Sequence, residues 1–493
     1  MTSTPPDLAA RAGLEAALLA RRAKRTATGI PRLPRPESGG TFPLSPSQRL
    51  MWRLHHASPS GSTWVTLGGV RLHGPLDLAA LEQVFTAVTE RHEALRTLFG
   101  TDEHGDLVQA VQPAAPVSVP VTEVTPDGAE AAMATVFDEP FDLREGPLVR
   151  LRVLRLGPQE HHLVLVVHHI ISDGRTMEII IAELTACYFA FAAGLPSPLP
   201  PLRVQVADVA VWQNQRLSAS RQRLLDYWLP ALEGATGVLP PTDAGPRPTP
   251  DSRGCTYQLP LAAETVQALR HLGSTHHATL FMVTLAACHT LLSWYTGVRD
   301  GAVASPYTYR DRPEIDHLAG AFMNYLVLRA DLSGDPTFTE VLGRIRDRTA
   351  ADFEHHELPV GEIMTELGHD PTADPHPLLR SLFTEESNPA LPPQDIDALR
   401  IEMINDPPWR RAERDFTLRV THGTAGTHVI VTYRTDAFTP ARVRDIAADY
   451  RDLLERIAAG ADFKLFDAQG RANAPGLRVP PSRATGQEER GDS

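Results

Sequence analysis

Lysine is almost absent from this 493-residue chain, although basic residues in general are not. Only two of its 47 basic residues are lysines, Lys24 and Lys464, and both lie near the chain ends. A phosphate-binding loop of the G-x-x-x-x-G-K-[ST] type is therefore excluded, and a Schiff-base lysine is not expected. The sequence also lacks G-x-S-x-G, H-E-x-x-H and G-x-G-x-x-G, so it carries no signature of a hydrolase elbow, a zinc protease or a dinucleotide fold.

Cysteines and long apolar runs are also scarce. Cys187, Cys255 and Cys288 are too widely spaced for a disulfide framework or a zinc motif, which fits a reducing compartment. Apolar runs such as Leu163–Val167 are far shorter than the roughly 20 residues that span a bilayer, and Met1–Pro6 begins no secretory signal. The net charge of -13 argues against nucleic-acid binding. We therefore expect a cytoplasmic protein with neither a membrane nor a nucleic-acid partner.

The length of the chain predicts more than one core, since domains usually hold about 100–200 residues. Two stretches rich in proline and glycine, Ile30–Gly40 and Gly234–Gly254, are typical of linkers. The predicted organisation is an N-terminal helix and linker (1–40), a first lobe (41–233), a linker (234–254), a second lobe (255–470) and a disordered tail (471–493). Leu8–Arg25 is the predicted N-terminal helix, and its basic end is a candidate docking element for a partner.

Both lobes mix helices and strands. Apolar residues recur at helical spacing, or in short runs between turn residues, in eleven segments. The predicted helices are Leu78–Arg91, Arg175–Ala193, Thr265–Leu272, Leu280–Tyr295, Phe338–Glu354 and Pro440–Ala458, and the predicted strands are Val149–Leu154, His161–His168, Gly301–Ala304, Leu326–Leu332 and Thr427–Tyr433. This order predicts an α/β fold with layered sheets, built twice.

One of the five adjacent histidine pairs stands in a context that suits chemistry. His168 and His169 end an apolar strand, and a turn containing Asp173 and Gly174 follows before a helix, with Ser172 or Asp173 placed to cap it. A histidine is suited to proton transfer near neutral pH, and a helix start presents backbone N–H groups. Because successive strand residues point to opposite faces, one histidine is expected to face a cleft and the other the interior. The residues alone leave a catalytic pair and satisfied core histidines both open, and no third ligand supports a metal site.

The stretch His168–Gly174 resembles the H-H-x-x-x-D-G signature of the condensation domains of nonribosomal peptide synthetases, which belong to the chloramphenicol acetyltransferase-like superfamily. Further family motifs are matched in the expected order at Ser45–Trp52, Arg91–Phe99, Asp208–Gln213, Gly320–Asn324 and His356–Val360. The sequence departs from the family at Arg175-Thr176, where Trp-Ser is common, and at Val206 and Tyr325. These departures leave the substrate class open.

The resemblance implies two acetyltransferase-like lobes that form a V-shaped pseudo-dimer with a tunnel at their junction. It implies that His169 is the catalytic histidine and that Gly174 contributes an N–H group to an oxyanion site. It further implies structural roles for His168 and for an ion pair between Asp173 and Arg310, with Arg312 the second choice. Candidate tunnel residues are Trp52, Arg175, Asn324 and Tyr325, and Asn324 is also a candidate for bridging the lobes. No metal or bound cofactor is expected, because substrates in the family arrive on the phosphopantetheine arms of carrier proteins.

The implied function is that of a free-standing condensation enzyme, which transfers an acyl or aminoacyl group from a carrier-protein thioester to an amine or hydroxyl. One alternative is an acyl-CoA-dependent acyltransferase of the same superfamily, and an epimerising relative is a weaker one. An alternative of another class is a non-catalytic platform that recruits carrier proteins or tailoring enzymes. Acyl or peptidyl carrier proteins are the expected partners, and candidate docking patches are Arg344, Arg346 and Arg348 or Arg410, Arg411 and Arg414.

Overall fold

The structure, a computed structural model, describes residues 29–36, 39–57, 64–243, 253–373, 378–387, 394–396, 399–404, 409–412, 414–424 and 426–478. The helices in these residues are α1 (Pro46–Ala57), α2 (Leu78–Arg91), α3 (Ala129–Asp138), α4 (Gly174–Ala192), α5 (Val206–Leu232), α6 (Ala263–Thr275), α7 (Leu280–Thr296), α8 (Phe338–Glu354), α9 (Val360–Glu366) and α10 (Pro440–Ala459). The strands are β1 (Gly40–Pro43), β2 (Val65–His73), β3 (Thr97–Thr101), β4 (Leu107–Val111), β5 (Val121–Glu123), β6 (Val149–Gly157), β7 (Glu160–His168), β8 (Thr236–Gly237), β9 (Arg253–Leu261), β10 (Asp300–Thr308), β11 (Met323–Asp331), β12 (Ser381–Ser387), β13 (Gln394–Ile396), β14 (Leu399–Met403), β15 (Trp409–Arg411), β16 (Phe416–Gly423) and β17 (Gly426–Arg434).

Every helix and strand predicted from apolar spacing is present. The helix predictions at Leu78–Arg91 and Phe338–Glu354 match α2 and α8 residue for residue. The predicted strands Val149–Leu154 and His161–His168 lie in β6 and β7, which pair antiparallel with Val153 opposite Leu163. The side chains of β7 are buried along almost the whole strand, because β7 lies inside a sheet with neighbours on both sides.

The first lobe is built on a six-stranded sheet in the order β13-β14-β2-β7-β6-β5. Helices α2 and α4 pack against each other, and their apolar side chains face the sheet. A small sheet in the order β1-β4-β3 completes the lobe. Since β7 lies in the middle of the large sheet, its carboxyl end, and therefore the histidine pair, is held by neighbours on both sides.

The second lobe is built on an eight-stranded sheet in the order β11-β10-β12-β16-β17-β9-β15, with β8 paired to β10. Helix α7 is buried along its length from Met282 to Tyr295, as expected for a helix that is apolar on all sides. No single described helix is long and apolar enough to cross a membrane. The pair Ala263–Thr275 and Leu280–Thr296 meets that criterion only when taken together, across a bend of 102°.

Two strands, β13 and β14, cross the predicted boundary between the lobes. The sequence places residues 255–470 in the second lobe, but β14 pairs antiparallel with β2 of the first lobe, Ile401 lying opposite Leu72. The second half of the chain therefore completes the sheet that carries the histidine pair. The apolar side chain of Leu399 is buried there, which ties this crossing segment to the core of the first lobe.

The predicted linkers and tail are more ordered than the sequence indicates. The backbone of Leu33 and the side chain of Arg35 both bond to Asp208 of α5. In the 234–254 stretch, the backbone N–H of Val238 bonds to the Ala302 carbonyl on β10. In the predicted 471–493 tail, Arg478 forms an ion pair with buried Asp449 at 2.9 Å. The remaining predictions for the termini, which are the helix at Leu8–Arg25 and disorder at 479–493, lie outside the described residues.

Candidate active site

The histidine pair lies at a turn between strand β7 and helix α4, and a residue of this turn caps the helix. Strand β7 ends at His168, a single turn of 3-10 helix covers His169–Ile171, and α4 begins at Gly174. Asp173 is the N-cap of α4, and its carboxylate accepts the Thr176 N–H at 2.8 Å while the Thr176 hydroxyl lies 3.2 Å from the Asp173 N–H. This reciprocal cap fixes the path of the chain from strand to helix.

His168 is a fully buried part of the turn. Its Nδ1 accepts the backbone N–H of Ile170 at 3.0 Å, and its Nε2 lies 3.1 Å from Nδ1 of His55 on α1. In the neutral ring the proton is therefore on Nε2, which donates to His55. Burial lowers the pKa of His168 well below its usual value, and the nearby His55, His169 and Arg150 lower it further. His168 is thus a neutral residue that fixes the turn through its contacts with Ile170 and His55.

The lowered pKa of His168 makes a testable contribution to acid sensitivity. The folded state keeps this ring neutral, whereas the unfolded chain takes up a proton below about pH 6.5. The stabilisation is therefore fully present above that pH and is lost as the pH falls toward the lower folded-state pKa. We expect the melting temperature to fall from pH 7 to pH 5, and to fall less steeply for His168→Gln. A matched His104→Gln change at an exposed site should leave the slope unaltered, and equal slopes in all three proteins would contradict the assignment.

His169 emerges from the turn beside the neighbouring strand. Its backbone N–H bonds to the Trp64 carbonyl at 2.9 Å, and its Nε2 lies 3.1 Å from the Thr66 hydroxyl on β2. In contrast to His168, the residue is only half-buried. Gly174, which is exposed at the first position of α4, lies five residues further on. The turn thus carries a half-buried imidazole five residues before the positive end of a helix. An imidazole can accept a proton, and a helix start can stabilise an oxyanion.

Asp173 and Arg310 form an ion pair that joins the two lobes. Arg310 Nε and Nη2 each lie 2.9 Å from a different carboxylate oxygen, so the pair is bidentate. Both side chains are 6% exposed, and Arg310 also donates to the Ile315 carbonyl at 2.8 Å. Arg312, the second choice for this role, is instead buried with Glu314 and the ring of Trp212. The ion pair therefore attaches the turn that carries His168 and His169 to the second lobe.

A second buried contact between the lobes comes from the motif at Arg91–Phe99. His92 Nε2 lies 2.7 Å from the Glu183 carboxylate on α4, and its Nδ1 accepts the Ala319 N–H at 3.2 Å. The acceptor role of Nδ1 places the proton on Nε2, which donates to Glu183. The side chain of His92 is fully buried. This motif residue therefore has a structural role, which is to align α4 with the second lobe.

Three of the four candidate tunnel residues occupy different environments. Trp52 is buried on α1 with its ring 4.1 Å from that of His56, and Arg175 is exposed in an ion pair with Glu178. Tyr325 is buried, with the Arg414 guanidinium 5.4 Å from its ring.

The roles predicted for Asn324, the fourth candidate, are not supported. Its amide nitrogen donates to the carbonyls of His356 and Leu358, and its amide oxygen accepts the Val360 N–H at 3.0 Å. All of these partners belong to the second lobe, and the side chain is buried. These bonds lie within the second lobe rather than between the lobes and use both amide N–H groups of Asn324. They fix the segment that precedes α9.

The arginines of the first candidate docking cluster are bonded within their own lobe. In the first cluster, Arg348 pairs with the buried Asp352 at 2.9 Å, and Arg344 and Arg346 bond to backbone carbonyls of their own lobe. In the second cluster the side chains of Arg410 and Arg411 lie outside the described residues. Arg414 is half-buried, with its guanidinium 5.4 Å from the rings of Trp64 and Tyr325. Arg414 therefore lies beside Trp64, whose backbone carbonyl accepts the His169 N–H. The sequence does not show this proximity, because the residues are far apart along the chain.

A family model for the condensation domain matches residues 38–468, which cover both lobes and the histidine turn. The chain belongs to the condensation domain family. This finding confirms the family predicted from the motifs, and it accounts for the order in which they occur along the chain.

The condensation domain has relatives among multidomain synthetases. It is 35% identical over 428 residues to a linear gramicidin synthase of Brevibacillus parabrevis, a match that covers 84% of this chain and 6% of the relative. It is 32% identical over 460 residues to chondramide synthase cmdD of Chondromyces crocatus, which covers 91% of this chain and 12% of the relative. The chain thus spans only a small part of the length of these relatives.

Solved structures confirm the two-lobed chloramphenicol acetyltransferase-like fold. The complex of the X-domain and OxyB from teicoplanin biosynthesis contains a chain with a TM-score of 0.77 and 26% identity, covering 91% of this chain and 99% of that one. The condensation domain of the monacolin K polyketide synthase MokA gives a TM-score of 0.74 and 25% identity, covering 87% and 99%. SgcC5 from Streptomyces globisporus gives 0.70 and 26%, covering 86% and 100%.

Proposed function

We propose that this condensation domain transfers an acyl or aminoacyl group from a carrier-protein thioester to an amine or hydroxyl acceptor. The observation that carries the proposal is the half-buried His169, which lies beside Thr66 of β2 and five residues before α4, within an intact H-H-x-x-x-D-G motif. The turn is stabilised by the fully buried His168 and by the ion pair between Asp173 and Arg310. Acyl or peptidyl carrier proteins are the proposed partners, and their phosphopantetheine arms are the proposed substrate carriers in a tunnel between the lobes.

In the proposed reaction His169 acts as a general base. It accepts the proton of the acceptor amine or hydroxyl while the acceptor attacks the thioester carbonyl. The backbone N–H groups at Gly174 and the positive end of α4 stabilise the negative oxygen of the tetrahedral intermediate. When the carbon–sulfur bond breaks, the leaving thiolate takes the proton back from His169. A hydroxyl acceptor depends more on the base than a neutral amine does, because its proton must leave during the attack.

Whether the donor must be bound to a carrier protein can be tested by presenting the same acyl group on a carrier protein and on coenzyme A. We expect product to form with the acyl group on a carrier protein, and at least about tenfold less with the same group on coenzyme A, because only the carrier adds protein contacts to the common arm. Intact-protein mass spectrometry of the carrier, with a panel of amine and hydroxyl acceptors, measures the transfer. Equal turnover from both donors would instead support an acyl-CoA-dependent transferase.

The second candidate function is a platform that recruits other proteins. The likeness to the X-domain in its complex with OxyB favours it. In that case no donor and acceptor pair should give product, while the chain should still bind a carrier protein or a tailoring enzyme in a pull-down. Binding should then survive His169→Ala, because a platform needs the surface and not the imidazole. Product formation that depends on His169 would exclude a purely recruiting role.

A further inference from the structure

Arg414 lies between β15 and β16 of the second lobe, and its guanidinium reaches the first lobe. The central carbon of the guanidinium is 5.4 Å from the centre of the Trp64 ring in the first lobe and 5.4 Å from that of Tyr325 on β11. Both rings are buried. A cation within about 6 Å of a ring centre is attracted by the ring, so the two rings hold the guanidinium where the lobes meet. We call Trp64, Tyr325 and Arg414 the junction cluster.

The positive charge of the junction cluster has no counterion within the part of the chain that the structure describes. The Arg414 side chain is half-buried, and its Nε atom is buried without a hydrogen-bond partner. Asp415, the next residue along the chain, pairs instead with Arg380 at 2.8 Å. Arg310, which also joins the lobes, has the carboxylate of Asp173. Burying a charge without a partner is unfavourable, which indicates that a bound molecule supplies the anion for Arg414.

One residue, Trp64, connects the guanidinium to His169. Val65 at the start of β2 lies opposite His168, so Trp64 lies opposite His169, and its carbonyl accepts the His169 N–H at 2.9 Å. Residues opposite each other on neighbouring strands have Cα atoms about 4.5–5.5 Å apart. The ring of Trp64 meets Arg414, and its backbone meets His169. An anionic group a few bonds from the reacting atom of a substrate therefore comes within reach of the guanidinium.

This position favours a carboxylate over the phosphate of a phosphopantetheine arm. The whole length of the pantetheine separates that phosphate from the thioester, whereas the guanidinium lies one residue away from His169. The planar fork of a guanidinium also matches the two oxygens of a carboxylate. Tyr325 is one of the positions at which the sequence departs from the family motifs. The junction cluster is therefore a feature in which this chain differs from the common pattern, as expected for a residue set that selects a substrate.

We propose that Arg414 binds the carboxylate of a substrate whose reacting group lies at His169. The inference rests on the proposed function, since it names a substrate class for the same site. The carboxylate belongs either to the acceptor, which is then a free amino or hydroxy acid, or to the donor, which is then the thioester of a dicarboxylic acid. In both cases a neutral analogue is rejected, because it leaves the guanidinium without its partner.

The test compares acids with their amides by calorimetric titration into the full chain, so it does not depend on turnover. The acceptor arm uses alanine, leucine and phenylalanine, each against its carboxamide. The donor arm uses the non-hydrolysable amide analogue of glutaryl-pantetheine against the same molecule with its free carboxylate converted to a carboxamide. In one of the two arms the acid should bind about 10–100-fold more tightly than the amide, and that arm identifies the source of the carboxylate. Equal affinities of acid and amide in both arms would overturn the proposal.

Substitutions at Arg414 assign the preference to its guanidinium. Arg414→Leu should bind acid and amide alike, whereas Arg414→Lys should retain a smaller preference, because lysine keeps the charge but not the planar fork. Arg400→Leu, which removes an exposed arginine paired with Glu402 on β14, is the matched control and should keep the full preference. An unchanged preference for the acid in Arg414→Leu would refute the assignment. Arg414→Gln gives the same comparison should the leucine variant fail to fold.

Thermal unfolding distinguishes binding from packing. Arg414→Leu should melt no lower than the parent protein, because it replaces an unpartnered, half-buried charge with an apolar group. A clearly lower melting temperature together with an unchanged preference for the acid would show that the guanidinium only packs between the lobes.

The outcomes separate this inference from the proposed function. If the acid is preferred through Arg414 but no acyl transfer occurs, the carboxylate site stands and the catalytic proposal fails. If transfer occurs and depends on His169 while acids and amides bind alike, the catalytic proposal stands and the carboxylate site fails.

Discussion

The variant His169→Ala is expected to lower the rate of acyl transfer by roughly 10²–10⁴-fold, the usual contribution of a general base. The imidazole is the accessible member of the pair, held beside Thr66 by its backbone bond to Trp64. Removing it leaves the turn in place, because that backbone bond and the buried His168 remain. Single-turnover assays with a carrier-bound donor and a saturating acceptor measure the loss. A hydroxyl acceptor should suffer more than an amine.

A control must show that the rate of acyl transfer falls because the base is missing and not because the protein is destabilised. His169→Ala should unfold within a degree or two of the parent in thermal melts, while Thr66→Val, which removes only the neighbouring hydroxyl, should cost about tenfold or less in rate. Wild-type turnover in His169→Ala would mean that this histidine is not the base. A lowered melting temperature together with lowered carrier binding would mean that the ring acts by shaping the site.

The local parts of this fold follow from local signals. The sequence narrows the α4 N-cap to Ser172 or Asp173 because both residue types favour that position, and the structure selects Asp173, whose carboxylate reaches Thr176. Ser172 instead donates to the His168 carbonyl. The pairing of Asp173 with Arg310 is expected from the family motif and is present in the structure, although the two residues are 137 positions apart.

What the sequence missed depends on contacts between distant segments. Strand β14 carries no local sign that it will pair with β2, since any short strand with an apolar face could do so. In the sequence, His55 belongs to one more histidine pair without a special context, and only the packing of α1 brings it to His168. The apolar pocket between the large sheet and helices α2 and α4 is equally absent from local sequence signals, because strands and helices from separate parts of the chain enclose it.

The ion pair between Asp173 and Arg310 is expected to contribute the largest single stability effect at the site. In Asp173→Ala the Arg310 guanidinium stays 6% exposed without its carboxylate, and leaving one partner of a buried pair costs about 3–5 kcal/mol. The loss of the α4 cap adds about 1 kcal/mol. Urea unfolding of the full chain measures the change. Arg175→Ala, which breaks the neighbouring exposed pair with Glu178, is the matched control and should cost at most about 1 kcal/mol.

A double-mutant cycle separates the interaction energy between Asp173 and Arg310 from the contributions of their other contacts. Asp173→Ala combined with Arg310→Ala should cost less than the sum of the single changes, because the double variant leaves no buried charge unpaired. Since the two residues belong to different lobes, the single variants should also unfold less cooperatively, with a lower denaturant slope. Strict additivity, together with an unchanged slope, would show that the two side chains do not stabilise each other. In that case the turn that carries the histidine pair would owe its position to the caps and to His92 rather than to the ion pair.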